Sequence, residues 1–485
     1  MEKDLVMKII SFIYNLFWGD LISIPLPGGN RLGLSFLVII LVLAGLYFTV
    51  RTKFLPGRLF PEMLHVTVEK KNGKGGSAIS GLQSLIVSTA TRVGMGNLVG
   101  VVAAVSVGGA GAVFWMWITA LIGSSSAFIE ATLAQLHKRR DPLYGGYHGG
   151  PAYYIHDFAE HKRKKRLKRS VVAVLFAISG LICWCGISQV ISNSVTDAFH
   201  NAFDIKPIIT TCVLVALAAL IVLRKKATVK VLDVIVPIMA GAYFIITLFI
   251  IFKNVTLLPG VLEQIVSEAF GVRQAVAGGF GAVLMNGVKR GLFSNEAGSG
   301  SAPCAAAAAE TDHPAKIGLL QALGVFIDTI VICSCTAFII LLVPGIGEQG
   351  LEGMALLQGA MEHHLGRFGV VFMAITLALF SFSTFLGVLY YARSNVAYLF
   401  GSNHLSQLIY KLVALAMLFI GGLASYTFVW DLGDIGIALM TVFNLLVIVP
   451  MAKEALECLK DYEMRRKAER AEARASKMQS KGRNN

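Results

Sequence analysis

Long stretches without a charged side chain constrain this sequence more than any other feature. Leu32–Val50, Ser170–Thr196, Val234–Phe252, Phe368–Ala392, Leu412–Val429 and Ile435–Ala452 are such stretches. Roughly 20 apolar residues carry a helix across the hydrocarbon core, and backbone polar groups there must be satisfied within the helix. Only 15 % of the residues are charged, whereas a soluble domain carries about a quarter. The runs predict an all-α membrane protein with about eleven transmembrane helices.

The formal charge of +14 does not point to nucleic acid, because of where it sits. Basic residues cluster at Arg51–Lys74, Lys138–Arg140, Lys162–Arg169, Arg224–Lys230 and Lys453–Arg483, each flanking an apolar run. The loops near Gly108, Asn201, Lys253 and Gly345 are poor in Lys and Arg. This alternation is the positive-inside pattern. It predicts a multi-pass protein of the cell membrane with the N-terminus outside and the C-terminus cytoplasmic. Leu5–Trp18 is short, is interrupted by Lys8 and lacks a small-residue cleavage site, so it reads as an amphipathic segment rather than a signal peptide.

The expected organisation is an amphipathic lead-in over 1–30, a peripheral span over 31–53, five spans over 78–252, five more over 272–452 and a charged tail over 453–485. The opening spans of the two groups are glycine-interrupted, at Gly94-Met95-Gly96-Asn97 and at Gly278-Gly279-Phe280-Gly281. Interruptions at matching places in two halves point to an inverted-repeat transporter and to its binding site. Glycine also serves helix packing in membranes; the matched positions favour the functional reading.

Ionisable residues at membrane depth need a partner or a cavity. Arg92 and Asp328 lie well inside their spans, and Arg92 is expected to pair with Asp328 or Glu296. Asp233, Arg290 and Glu296 are placed near cytoplasmic ends, where snorkelling suffices. Glu130 and Asp434 complete the set. An unwound stretch around Gly94–Gly96 would free N–H groups for a carboxylate and carbonyls for a hard cation. Thr89, Thr91, Asn97, Ser381, Ser383 and Thr384 offer neutral side-chain oxygens, although a membrane hydroxyl often bonds its own helix.

Cys183/Cys185 and Cys333/Cys335 sit in apolar spans two residues apart and cannot chelate one metal from a regular helix. His137, His148, His156 and His161 match no zinc spacing and are expected to be solvated. No embedded hydrolase or protease motif is present, which argues against an enzyme. An ion channel would show filter repeats or acidic rings, and neither occurs.

Gly108-Gly109-Ala110-Gly111-Ala112-Val113-Phe114-Trp115-Met116-Trp117-Ile118-Thr119-Ala120, followed by Gly123, resembles the signature of the alanine/glycine:cation symporter family, the sodium:alanine symporters. Arg290–Gly298, continuing through Gly300-Ser301-Ala302-Pro303, is similar to a second hallmark. Val93–Asn97, Phe326–Thr329 and Trp430–Asp434 fit as well. The resemblance implies a LeuT-type fold of two inverted five-helix repeats with one extra N-terminal helix and two broken helices. It implies sodium- or proton-coupled symport of alanine, glycine or a related amino acid, with sodium as coupling ion and no other cofactor.

By position, the resemblance gives the Ala90 and Val93 carbonyls and the Ser383 and Thr384 hydroxyls to sodium. It gives Thr91, Gly94, Gly96, Asn97, Gly278, Phe280 and Gly281 to the amino acid. Two departures touch the pocket. Where the family has Gln-x-Asn on the third core helix, this chain reads Ile191-Ser192-Asn193, which leaves Asn193 as the candidate. Where many members carry Trp after the hydroxyl pair, this chain has Val388, then Tyr391-Ala392-Arg393. Both changes make a larger solute such as glutamine or serine the alternative to alanine and glycine.

Overall fold

The computed structural model describes residues 2–25, 31–68, 93–223, 229–271 and 279–482. Thr89, Ala90, Thr91, Arg92 and Gly278 lie outside the described residues. Among the described residues six helices are long and apolar enough to cross a membrane, or seven if one bent pair counts as a span.

In chain order, α1 is Glu2–Trp18 and α2 is Phe36–Arg51, with α3 at Phe60–Val68. Then come α4 at Gly96–Gly108, α5 at Gly111–Leu136, α6 at Pro151–Arg163, α7 at Val171–Phe203 and α8 at Pro207–Val222. Next are α9 at Val229–Lys253, α10 at Leu258–Ala269, α11 at Gly279–Asn295, α12 at Ala302–Ala306 and α13 at Pro314–Leu341. Last are α14 at Met354–Leu365, α15 at Arg367–Phe400, α16 at His404–Gly421 and α17 at Tyr426–Gly482. Part of the chain ahead of α2 is not helical: Asp20–Pro25 pairs antiparallel with Arg31–Ser35.

Local chemistry sets the helix starts. Proline occupies the first turn of α6, α8, α10, α12 and α13, where its missing N–H leaves no bond unmade. Ser35 and Asn403 accept from Val38 and Ser406 at the starts of α2 and α16. The start of α5 is capped from afar, since Glu268 Oε2 accepts the Ala110 and Gly111 N–H groups at 2.8 and 3.3 Å. A Cβ on Gly111 would lie 2.5 Å from Ala269 N, so glycine is what lets α10 close over this end. This explains one residue of the glycine signature. The segment carrying α10 reads from sequence as a loop; it is a helix turned by 103° from Pro237–Lys253.

The helices α7, α15, α17 and α5 form the centre, and their facing side chains are buried. The last helix does not end at residue 452. It runs through Pro450 to Gly482, and Ala455, Leu459 and Tyr462 stay buried beyond the apolar part. Glu62 of α3 accepts from Tyr462 at 2.7 Å, from Arg466 at 2.6 Å and from Arg470 at 2.5 Å. Asp461 meets His313 at 3.0 Å at the start of α13. The tail is thereby fastened to α3 and to the start of α13.

Candidate functional site

The first interruption is built by four elements. Residues 93–95 are not helical, and α4 opens with a π-helical turn over Gly96–Gly100. In a regular helix the Gly94 and Met95 N–H groups would bond inside the ladder. Here Gly94 N–H donates to Asn97 Oδ1 at 3.0 Å and Met95 N–H donates to Thr384 Oγ1 at 3.1 Å. A Cβ on Gly94 would fall 2.1 Å from the same Thr384 oxygen. Only glycine admits α15 this close to the broken backbone. Thr384 donates in turn to Phe380 O at 2.9 Å, as does Ser383.

Asn97 carries the interruption to α13. Its Nδ2 donates to Asp328 O at 3.1 Å and to Asp328 Oδ1 at 2.5 Å, and both residues are fully buried. Ser294 Oγ and Thr329 Oγ1 donate to Asp328 Oδ2 at 2.8 and 3.2 Å. Thr336 Oγ1 donates to Asn97 O at 2.9 Å. Asp328 sits in a π-helical stretch, Phe326–Cys333, and such bulges re-aim side chains at functional positions. The expected partner Arg92 lies outside the described residues; the described partners of Asp328 are neutral donors.

Of the expected interruption Gly278–Gly281, Gly278 lies outside the described residues and the described helix begins at Gly279. Gly279–Asn295 is one helix, and Phe280 and Gly281 occupy its first turn, with Phe280 6.0 Å from the Trp115 ring. At the helical rise, Phe280 is about 20 Å from Phe293 along the axis, and it is Phe293 and Ser294 whose backbone meets Gly96. The chain leaves the helix at Glu296–Ser301, with φ of 56° at Glu296, 89° at Gly298 and 84° at Gly300. In the sequence this departure is carried by the Gly298-Ser299-Gly300-Ser301 run. Ser294, Asn295 and Gly298 are the residues this side contributes and the sequence missed. Glu296 Oε2 accepts from Ser301 Oγ at 2.8 Å, tying the loop to itself.

Other candidates are placed as follows. Val93 and Val388 are buried. Asn193 turns its amide to α16, donating to Gly421 O at 3.4 Å and Ala424 O at 3.0 Å, and so engages the end of that helix. Ser381 Oγ, fully buried and without a hydrogen-bond partner, stands on α15 beside Ser383 and Thr384. An orphaned neutral oxygen three residues before Thr384, on the same side of α15, suits a weakly polarising monovalent cation better than a divalent one, which takes carboxylates.

Two charge readings change. Arg290 does not snorkel: it is buried, bonds both oxygens of Asp434 at 3.2 and 3.3 Å and lies 4.0 Å over the Trp430 ring. Lys289 Nζ joins the same carboxylate at 2.5 Å. Of the histidines expected to be solvated, only His161 is exposed; His156 is buried and bonds Tyr398 at 2.9 Å. His137 joins Asp157 at 2.9 Å and Glu454 at 3.1 Å. Burial disfavours its charge, but hydrogen bonds and attraction from Asp157 and Glu454 outweigh this and raise its pKa to about 9.

Residues 29–476 match the model of the sodium:alanine symporter family. The probable sodium/glutamine symporter GlnT of Bacillus subtilis (strain 168) is 43 % identical, covering 90 % of each chain. The amino-acid carrier protein AlsT of the same organism is 42 % identical over 93 % of each. Its putative sodium/proton-dependent alanine carrier protein YrbD is 40 % identical over 89 % of this chain and 90 % of that one. Among solved structures, a manganese transporter of Eremococcus coleocola aligns with a TM-score of 0.49 at 12 % identity, over 81 % of this chain and 82 % of that one. The relatives are transporters rather than enzymes. This chain, an all-helical multi-pass membrane transporter, belongs to the sodium:alanine symporter family.

Proposed function

We propose that the protein is a sodium-coupled symporter that takes up a small neutral amino acid, alanine or glycine, by alternating access. The observation that carries the reading is the meeting of Met95 N–H with Thr384 Oγ1 at 3.1 Å, beside the free Ser381 oxygen. Sodium seated among the Ala90 and Val93 carbonyls and the Ser383 and Thr384 hydroxyls would brace the broken segment against α15. Thr91, Gly94, Gly96 and Asn97 would present backbone and amide groups to the amino acid, with the Glu296–Ser301 segment opposite. Coupling follows if cation and solute together favour one orientation of these elements.

Counting α2, α4, α8, α9 and α11 with the six long helices gives eleven crossings, arranged as two inverted sets of five after α2. The basic clusters put the N-terminus outside and the C-terminus in the cytoplasm. A second reading, uptake of a larger solute such as glutamine, is favoured by Val388 in place of a bulky ring and by the name carried by the 43 %-identical relative. Radiolabelled alanine, glycine and glutamine uptake into proteoliposomes under imposed sodium or proton gradients tests both. Uptake indifferent to either gradient sinks symport, and a rate set by the proton gradient alone replaces sodium as the coupling ion.

A further inference from the structure

The side chain of Glu130, on α5, is fully buried and grips the second interruption. Its Oε1 accepts the Gly298 N–H at 3.1 Å, and Oε2 accepts Asn444 Nδ2 at 2.9 Å. The same Asn444 nitrogen donates to Gly298 O at 2.9 Å, and Asn444 Oδ1 accepts the Tyr154 hydroxyl. Gly298, held at φ 89°, is therefore fastened at its N–H and its C=O by two helices, with α6 behind them. A carboxylate this deep is costly to keep ionised. Among the described residues, the titratable groups sharing its surroundings are Tyr154 of α6, Cys304 of α12 and Glu296 of the interrupted segment.

We propose that Glu130 is a proton-operated positioning residue: ionised, it fastens Gly298; protonated, it lets the second interruption move. This rests on reading the chain as an alternating-access transporter. The balance involves one proton, drawn from water and returned to it. Added at Oε2, the proton faces a donor, Asn444 Nδ2, so O–H and N–H oppose each other and that bond is lost. The same nitrogen donates to Gly298 O, so its displacement loosens that bond too, while Asn444 Oδ1 keeps the Tyr154 hydroxyl. Loss of charge also weakens the bond from Gly298 N–H, since charge-assisted bonds are the stronger kind. One proton thus loosens the peptide at both ends, and no carboxylate elsewhere need change.

The test uses the purified full-length protein in proteoliposomes, with radiolabelled alanine and glutamine driven by a sodium gradient. The pH on both sides is stepped together from mildly acidic to mildly alkaline. The wild-type rate is expected to change about tenfold per pH unit on one limb, the slope of a single protonation, and Glu130→Gln to be flat. An unchanged profile in Glu130→Gln overturns the proposal. Infrared difference spectra on acidification supply a readout that needs no transport. A protonated-carboxyl band should appear in wild type, be absent from Glu130→Gln and shift in Glu130→Asp; a band common to all three overturns it. Wild-type protein that shows this band but transports neither amino acid would fail the transport reading and leave the proton site standing.

Discussion

Met95 and Thr384 are hydrogen-bonded at 3.1 Å across 289 residues of chain, backbone N–H to hydroxyl. Nothing local demands this bond; it exists because residues 93–95 are not helical and α15 lies against them. Thr384→Ala removes the acceptor and the proposed sodium ligand together. Loss of an interaction worth about 1.4 kcal/mol weakens sodium affinity about tenfold. Thr384→Ser should keep it, and Gly94→Ala, which drives a Cβ into the same oxygen, should abolish sodium-dependent uptake. Sodium activation curves for the three variants check the set.

Asn97 is the link between the break and Asp328. Asn97→Ala leaves a buried carboxylate short of a donor, a loss of about 2 kcal/mol. The unfolding temperature in detergent should fall, and it should fall less in Asn97→Ser if the hydroxyl reaches Asp328.

Glu62 fastens the tail. Burial alone would raise its pKa, but hydrogen bonds from Tyr462 and Arg466 and the charges of Arg466 and Arg470 hold it below the ordinary carboxylate range. A depressed folded-state pKa means the contribution is present above the unfolded value and lost as pH falls through the folded one. Acidification should therefore expose the tail to an acid-active protease. In Glu62→Gln the tail should be cut at neutral pH too.

His137 has the opposite sign. With its pKa raised to about 9, its contribution is whole below the unfolded value of about 6.5 and disappears as pH rises through about 9. Melting temperature measured across this window should decline in wild type, with the decline flattened in His137→Ala.

Val388 is buried on α15, one turn beyond Thr384. Val388→Trp should narrow the pocket and shift competition in uptake assays toward glycine and alanine over glutamine. Equal competition before and after the change would separate this position from solute choice.

Much of the fold was legible because hydrophobic length and charge placement are local properties. Six long apolar helices, the uncharged stretch Phe368–Ala392 of α15 and the non-helical residues 93–95 follow from them. Asp328 stood out as a charge where charge is costly. The tail also announced itself as a charged helix by composition, but its docking onto Glu62 did not.

What the sequence by itself determined is that the chain crosses a membrane many times and that its backbone departs from a regular helix beside Gly94 and Gly96. Tertiary structure alone decided that the chain also leaves its helix at Glu296–Ser301. A glycine breaks a membrane helix only when other helices supply partners for the backbone groups it frees. At Gly298 the side chains of Glu130 and Asn444, 168 and 146 residues away, take up its N–H and C=O. The interruption sits where those partners are.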